Sequence, residues 1–103
     1  MTNMSILDTI EFDEEGYMKD WIQWNEDIAR AIAADEGIEL TERHWVVINF
    51  ARKVYAEKKD SPTLRQITKQ TDVSMKEMYE LFPNGPAKRA AMIAGLPKPT
   101  GCI

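Results

Sequence analysis

The sequence has few of the side chains that form disulfides and bind metal ions. Its 103 residues include one cysteine, Cys102, and one histidine, His44. A single cysteine cannot form a disulfide within its own chain. One histidine and one cysteine also cannot supply the four ligands of a structural zinc site. We therefore expect no disulfide framework and no bound metal, and no motif indicates a cofactor.

A long apolar run and an excess of basic residues are lacking as well. No stretch approaches the roughly 20 apolar residues that span a bilayer, so we expect no membrane association. The first five residues, Met-Thr-Asn-Met-Ser, have neither the basic start nor the apolar centre of a signal peptide, which favours the cytoplasm. The 13 basic residues are outnumbered by 17 acidic ones, and this argues against nucleic acid as a direct partner.

Helical periodicity is what the sequence does have. Apolar residues recur at helical spacing over residues 25–35, 41–58, 62–70, 74–81 and 86–94. We expect the first four of these helices to begin at the N-cap residues Asn25, Thr41, Ser61 and Ser74. Trp21 and Trp24 precede the first helix and are expected to seal its start. Residues 41–58 are apolar on more than one face, with Val46 among them, which is typical of a helix at the centre of a bundle.

The start of the chain follows a different pattern. Residues 6–17 show partial alternation and end in a turn at Gly16, which predicts a short β-hairpin or an extended arm. The fold class that we predict is mainly α: a small orthogonal helical bundle with a helix-turn-helix-like pair and a short N-terminal β-hairpin. A length of 103 residues suits one domain rather than two.

The helix-turn-helix-like pair over residues 62–79 leaves DNA binding open as an alternative function, that of a regulator. Its second helix carries Glu77 and Glu80 against Lys76, with no arginine or asparagine to contact base edges. We therefore rank this alternative second. His44 follows Thr-Glu-Arg near a helix start, and the sequence predicts a partly exposed histidine beside the cap rather than a catalytic base.

The C-terminus reads Leu-Pro-Lys-Pro-Thr-Gly-Cys-Ile after Gly95. Two prolines favour an extended path, so we divide the chain into a helical domain, residues 1–94, and a flexible arm, residues 95–103. A free cysteine is usually a small buried hydrophobe, but a penultimate position favours exposure. These two interpretations of Cys102, inert or reactive, are evenly balanced on position alone. Arg65 and Lys88 are weaker candidates, as groups that would neutralise charge at the arm.

Residues 81–88 and 93–103 resemble the C-terminus of the DsrC/TusE family of sulfur relay proteins. Matching residues elsewhere extend the resemblance over nearly the whole chain: Gly16, Tyr17, Trp24, Glu36, Gly37, Ile38, His44, Trp45, Ser61, Pro62 and Arg65. The resemblance implies that Cys102 is the catalytic residue and accepts and passes on sulfur as a persulfide. It also implies sulfur-donor relay proteins resembling TusBCD or DsrEFH as partners, and a tRNA thiolase or a sulfite reductase as the acceptor.

One position departs from the DsrC pattern. DsrC proteins that act with dissimilatory sulfite reductase carry a second cysteine in the last helix, and that position is Ala91 here. The resemblance therefore implies a relay with a single thiol, in a TusE-like pathway of tRNA 2-thiouridine synthesis or a DsrC-like pathway of sulfur oxidation.

Overall fold

Five α-helices account for most of residues 6–99, the part of the chain that the computed structural model describes. They are α1 (Glu26–Asp35), α2 (Glu42–Lys58), α3 (Leu64–Gln70), α4 (Met75–Leu81) and α5 (Pro86–Ile93). Two short 3₁₀ helices, Ile6–Thr9 and Trp21–Gln23, precede α1. The prediction of a mainly α fold is confirmed. None of the helices in this part of the chain is long and apolar enough to cross a bilayer.

Three of the predicted N-caps lie where the sequence placed them. The Asn25 side chain accepts a hydrogen bond from the Ile28 amide at 2.9 Å, and the Ser74 hydroxyl accepts one from the Glu77 amide at 3.1 Å. These bonds satisfy amides that a helix start leaves without an intrahelical partner. Thr41 occupies the N-cap position of α2. The starts of α1, α2 and α4 were therefore readable from local sequence.

The predicted N-cap at Ser61 is wrong, because α3 begins at Leu64 with Thr63 as its cap. The Thr63 hydroxyl accepts from the Gln66 amide at 3.1 Å, and the Gln66 side chain accepts from the Thr63 amide at 2.8 Å. This reciprocal capping box satisfies two amides at once. The Ser61 hydroxyl is instead buried without a hydrogen-bond partner among the described residues.

The predicted N-terminal β-hairpin is not confirmed. Residues 6–9 form a 3₁₀ helix, in which the Thr9 hydroxyl donates to the Ile6 carbonyl at 3.0 Å. Pairing is limited to one antiparallel bridge between Phe12 and Met18. The turn between them is present, and Gly16 adopts a left-handed φ of 95° there. A single bridge suffices because Met18 is wholly buried and holds the segment to the helices.

His44 is buried, whereas the sequence predicted partial exposure. Its Nδ1 accepts from the Thr41 amide at 3.0 Å, and its Nε2 lies 2.8 Å from the Leu81 carbonyl. A neutral ring protonated at Nε2 satisfies both bonds. The ring also packs edge-on against Phe82, with centroids 5.1 Å apart. His44 therefore joins the start of α2 to the end of α4 and has no free nitrogen for catalysis.

The core forms around α5, which packs against α1, α2 and α4. Side chains that are wholly buried include Ile48 of α2, Ile93 of α5 and Phe82 between α4 and α5. The centre of α2 is apolar as predicted, but Val46 is 37% exposed and does not belong to the core. Leu96, two residues beyond the predicted domain boundary, is wholly buried.

Arg43 joins α2 to the helix-turn-helix-like pair. Its guanidinium donates to both carboxylate oxygens of Glu77 at 2.7 Å and to those of Asp72 at 3.1 Å. The guanidinium lowers the pKa of each carboxyl group by hydrogen bonding to it. Packing and ion pairing thus fix α4 against the rest of the domain.

We predict that the stability conferred by Arg43 is lost in acid. Because the folded-state pKa values of Asp72 and Glu77 are lowered, unfolding takes up protons and the free energy of unfolding falls as the pH drops through the carboxyl range. Replacing Arg43 by Gln should lower stability near neutral pH, and the gap to the wild type should close on acidification. Urea titrations from about pH 7 to about pH 3 would measure this.

The matched control is R65Q, which removes an exposed arginine that forms no ion pair within residues 6–99. The free energy of unfolding of R65Q should run parallel to that of the wild type at every pH. A gap for R43Q that stayed constant across the titration would contradict the role given to the two carboxylates.

Candidate functional site

The site is the root of the C-terminal arm, where α5 ends and the chain turns away. Gly95 adopts a left-handed φ of 72°. Its amide donates to the Met92 carbonyl at 3.1 Å, and the Leu96 amide donates to the Ala91 carbonyl at 3.0 Å. These two bonds form a Schellman motif, which ends a helix and reverses the chain direction. The buried Leu96 side chain then holds the turn in the core.

Trp24 packs directly onto this turn. Its indole Nε1 donates to the Ile93 carbonyl at 2.9 Å, across 69 residues of sequence. A Cβ atom added at Gly95 would lie 2.2 Å from a ring carbon of Trp24. Gly95 is therefore needed for two independent reasons, the left-handed φ and the close approach of the indole.

Arg52 satisfies the next carbonyl. From α2 it donates to the Ala94 carbonyl at 2.9 Å and to the Trp21 carbonyl at 3.1 Å. Its guanidinium also stacks on the ring of Trp24, 4.1 Å from the centroid. A cation at the C-terminal end of α5 interacts favourably with the helix dipole. Burial lowers the pKa of Arg52, but an arginine remains charged at neutral pH.

An acidic loop, residues 13–17, lies on the other side of the arm root. The Asp13 carboxylate accepts from the amides of Glu15 at 2.9 Å and Tyr17 at 3.0 Å, which fixes the loop as a tight turn. Tyr17 is buried against Ala91 and Met92 of α5. Burial raises the pKa of Tyr17, and the charges of Glu15 and Asp13 add to the effect. The loop is therefore held to α5 by its own side chains.

The first residues of the arm lie along this loop. Lys98 is exposed, and its ammonium group contacts the Glu15 carboxylate at 2.7 Å. Pro97 and Pro99, on either side, are both partly buried. The pair raises the pKa of Lys98, chiefly because its ammonium group donates a hydrogen bond to the Glu15 carboxylate. Residues 97–99 thus follow the surface of the domain instead of projecting from it.

The structure places the predicted site residues in three groups. Cys102, the predicted catalytic residue, and Gly101 lie outside the described residues. Arg65 and Lys88 are exposed, and neither takes part in the arm root. Ala91 lies at the root itself, 2% exposed. The division into a domain of residues 1–94 and an arm of residues 95–103 stays a prediction.

Sequence reasoning missed Arg52 and Glu15. Arg52 lies on a face of α2 that contacts residues near both ends of the chain, Trp21 and Ala94. No local sequence pattern indicates such contacts. The sequence predicts that Trp21 and Trp24 seal the start of α1, but it does not indicate the contact of Trp24 with the arm root. No group of three or more His, Cys, Asp or Glu side chains within residues 6–99 could hold a metal ion.

Comparison with known proteins gives one consistent result. A model of the family described as "DsrC like protein" matches residues 7–103. The chain is 48% identical to the protein named "Sulfurtransferase TusE" of Salmonella paratyphi A, an alignment that covers 91% of this chain and 93% of that protein. Identity to "Sulfurtransferase TusE" of Escherichia coli K12 is 46%, with the same coverage.

Solved structures agree with this. The NMR structure of DsrC from Allochromatium vinosum is 42% identical, with a TM-score of 0.81, and the match covers 91% of this chain and 90% of that one. The crystal structure of the oxidized gamma-subunit of the dissimilatory sulfite reductase (DsrC) from Archaeoglobus fulgidus is 41% identical, with a TM-score of 0.82 and coverage of 91% and 92%.

We predict that Gly95→Ala destabilises the domain more than Gly37→Ala does. Both glycines have a φ of 72°, but an added Cβ at Gly37 meets no atom within 4 Å. G37A should therefore cost about 1–2 kcal/mol, for the left-handed backbone alone. G95A should cost about 1–3 kcal/mol more, because the indole of Trp24 must move.

Urea denaturation of both variants measures the difference. Equal losses of stability would show that Trp24 can move aside without cost. In the background W24A, where the indole is absent, the excess cost of G95A should shrink. It should not vanish, because the Cβ atom that alanine keeps at position 24 would still lie 2.8 Å from the added Cβ.

Proposed function

This chain belongs to the DsrC-like protein family, and we propose that it is a sulfur carrier that holds sulfur as a persulfide on Cys102. The family match runs through residue 103 and so includes the penultimate cysteine. The relatives named sulfurtransferase and the DsrC relatives support a role in relaying sulfur between proteins.

The observation that carries the proposal is the way in which the arm leaves the domain. Gly95 and Leu96 are fixed by the Schellman turn, by Trp24 and by Arg52. Cys102 follows Leu96 by six residues in the sequence, so its thiol is joined to a rigid root through a short linker. A carrier needs this combination, because its thiol must reach the active sites of other proteins without unfolding its own domain.

The proposed step exchanges one sulfur–sulfur bond for another. The Cys102 thiolate attacks the terminal sulfur of a donor persulfide, R–S–SH, and the S–S bond of the donor breaks. A new bond forms between the Cys102 sulfur and the transferred sulfur, and the donor leaves as its thiolate, R–S⁻. Charge is conserved, and no external oxidant or reductant is needed. The carrier is unloaded by the same reaction. An acceptor thiolate attacks the outer sulfur of Cys102–S–SH, and Cys102 leaves as its thiolate.

Ala91 restricts this chemistry to one thiol. It lies at the root of the arm, packed with Tyr17 and Met92, at the position that the resemblance assigns to the second cysteine of DsrC proteins. With alanine there, no disulfide or trisulfide can close within the chain. This favours a TusE-like relay for tRNA thiolation or a DsrC-like role in sulfur oxidation.

The partners that we propose follow from the same role. They are a persulfide donor, of the kind represented by TusBCD or DsrEFH, and a protein that accepts the sulfur, such as a tRNA thiolase or a sulfite reductase. We propose the cytoplasm as the compartment, since a free thiol carrier requires a reducing environment. DNA binding gains no support, because the relatives named above are sulfurtransferases and DsrC proteins, and α4 carries Glu77 and Glu80 against Lys76.

Incubation with a cysteine desulfurase and cysteine, followed by intact-protein mass spectrometry, tests the proposal. The wild type should gain one sulfur atom that peptide mapping places on Cys102 and that a reductant removes. Cys102→Ser should gain none.

A displaced cysteine serves as the matched control. In N49C/C102S the thiol stands at an exposed position on α2 instead of on the arm. We expect slow loading of this variant. If it loaded as fast as the wild type, sulfur would be reaching any exposed thiol, and the arm would have no special role.

A further inference from the structure

We propose that Lys98 and Glu15 are positioning residues, which hold the first half of the arm on the acidic loop and so set the reach of Cys102. The consequence for sulfur transfer rests on the proposed function, whereas the contact itself can be measured without any sulfur chemistry. Neither residue touches the reacting sulfur in this proposal, and both act through the path of the arm.

The first argument is geometric. The arm is fixed at Leu96 in the core and touches the domain again at Lys98, two residues later. Pro97 and Pro99 stiffen the segment around this second contact, and both are partly buried. Four residues beyond a fixed Lys98 reach about 12 Å, whereas six residues beyond Leu96 reach about 19 Å. The pair thus reduces the volume open to the thiol about fourfold.

The second argument is that the acidic loop, residues 13–17, is held in place by contacts that do not involve the arm. Asp13 fixes the turn through two backbone amides, and Tyr17 anchors it to α5. Glu15 is therefore presented at a defined position by contacts that do not involve Lys98. The polar pocket beside the pair is lined by both residues together with Phe12, Asp13, Glu14 and Lys19.

The third argument concerns strength. The side chains of Lys98 and Glu15 are 61% and 42% exposed, so water and salt screen their attraction. A pair of this kind changes an equilibrium by up to about fivefold. That is enough to bias the direction of the arm without fixing it in one place. The pair is therefore suited to positioning the arm reversibly.

Paramagnetic relaxation measures the contact directly. A nitroxide attached to Cys102, the only cysteine of the chain, broadens the amide signals of nearby residues. In the wild type at low salt, we expect strong broadening of the acidic loop, residues 13–17. Broadening should fall in E15Q and in K98Q, and the reversed pair E15K/K98E should restore it. Added salt should reduce broadening in the wild type but have little effect on E15Q.

The matched control is E14Q, which removes the same charge from the neighbouring exposed residue. It should leave the broadening as in the wild type. The proposal is wrong if E15Q and K98Q broaden the loop as the wild type does, or if E14Q has the same effect as E15Q.

Kinetics of persulfide loading from a cysteine desulfurase separate positioning from chemistry. E15Q should raise the KM for the carrier by up to about fivefold and leave kcat unchanged, because the attacking sulfur is the same. The reversed pair should recover the wild-type KM. A lowered kcat, or a KM that did not move, would overturn the positioning role. Failure of wild-type Cys102 to load at all would instead count against the proposed function.

Discussion

The carbonyl groups at the C-terminal end of α5 are the point on which the arrangement of this domain depends. A helix leaves its last carbonyls without intrahelical partners, and here two of them are satisfied from distant parts of the chain. Ile93 receives the Trp24 indole, and Ala94 receives Arg52. Because Trp24 precedes α1 and Arg52 belongs to α2, the end of α5 ties three elements together. The same contacts determine where the arm begins and in which direction it leaves.

This dependence also accounts for the composition of the arm root. Arg52 stacks on Trp24 and binds two carbonyls, so a partly buried guanidinium has both an apolar and a polar environment. Such a cation avoids the cost of an unpaired buried charge, because its donors are satisfied by carbonyl dipoles. Gly95 completes the arrangement, since the indole occupies the space of a side chain. Arg52, Trp24 and Gly95 therefore depend on one another at the end of α5.

Sequence reasoning succeeded mainly where the interacting residues are close together in the sequence and failed mainly where they are far apart. Helices α1, α2 and α4 were predicted with their caps, because Asn25 and Ser74 act on amides three residues away. The error at α3 was also local. Thr63 and Gln66 fit the capping-box spacing better than Ser61 did, and the pattern was available in the sequence. The burial of His44 was not, since its second nitrogen binds a carbonyl 37 residues away.

The candidate site divides in the same way. The penultimate cysteine, the two prolines and Gly95 stand in eight consecutive residues, so the prediction of an arm needs only local sequence. Arg52 and Glu15 are not, because nothing near them in the sequence indicates contact with the C-terminus. The N-terminal hairpin failed for a related reason. Alternation over residues 6–12 is a weak signal, and burial of Met18 allows a 3₁₀ turn and one bridge to replace two strands.

Because Ala91 stands where a second cysteine would be, the proposed function depends on how the root presents the arm to other proteins. A carrier with two cysteines can release its sulfur by closing a disulfide within its own chain, but this chain has one cysteine. On the proposed function, the persulfide on Cys102 must therefore leave by attack from a thiol of another protein. Transfer then depends on how the arm is presented to that protein, and not on a second group of the carrier. A rigid root, with a weak contact at Lys98 that biases the direction of the arm, meets that requirement.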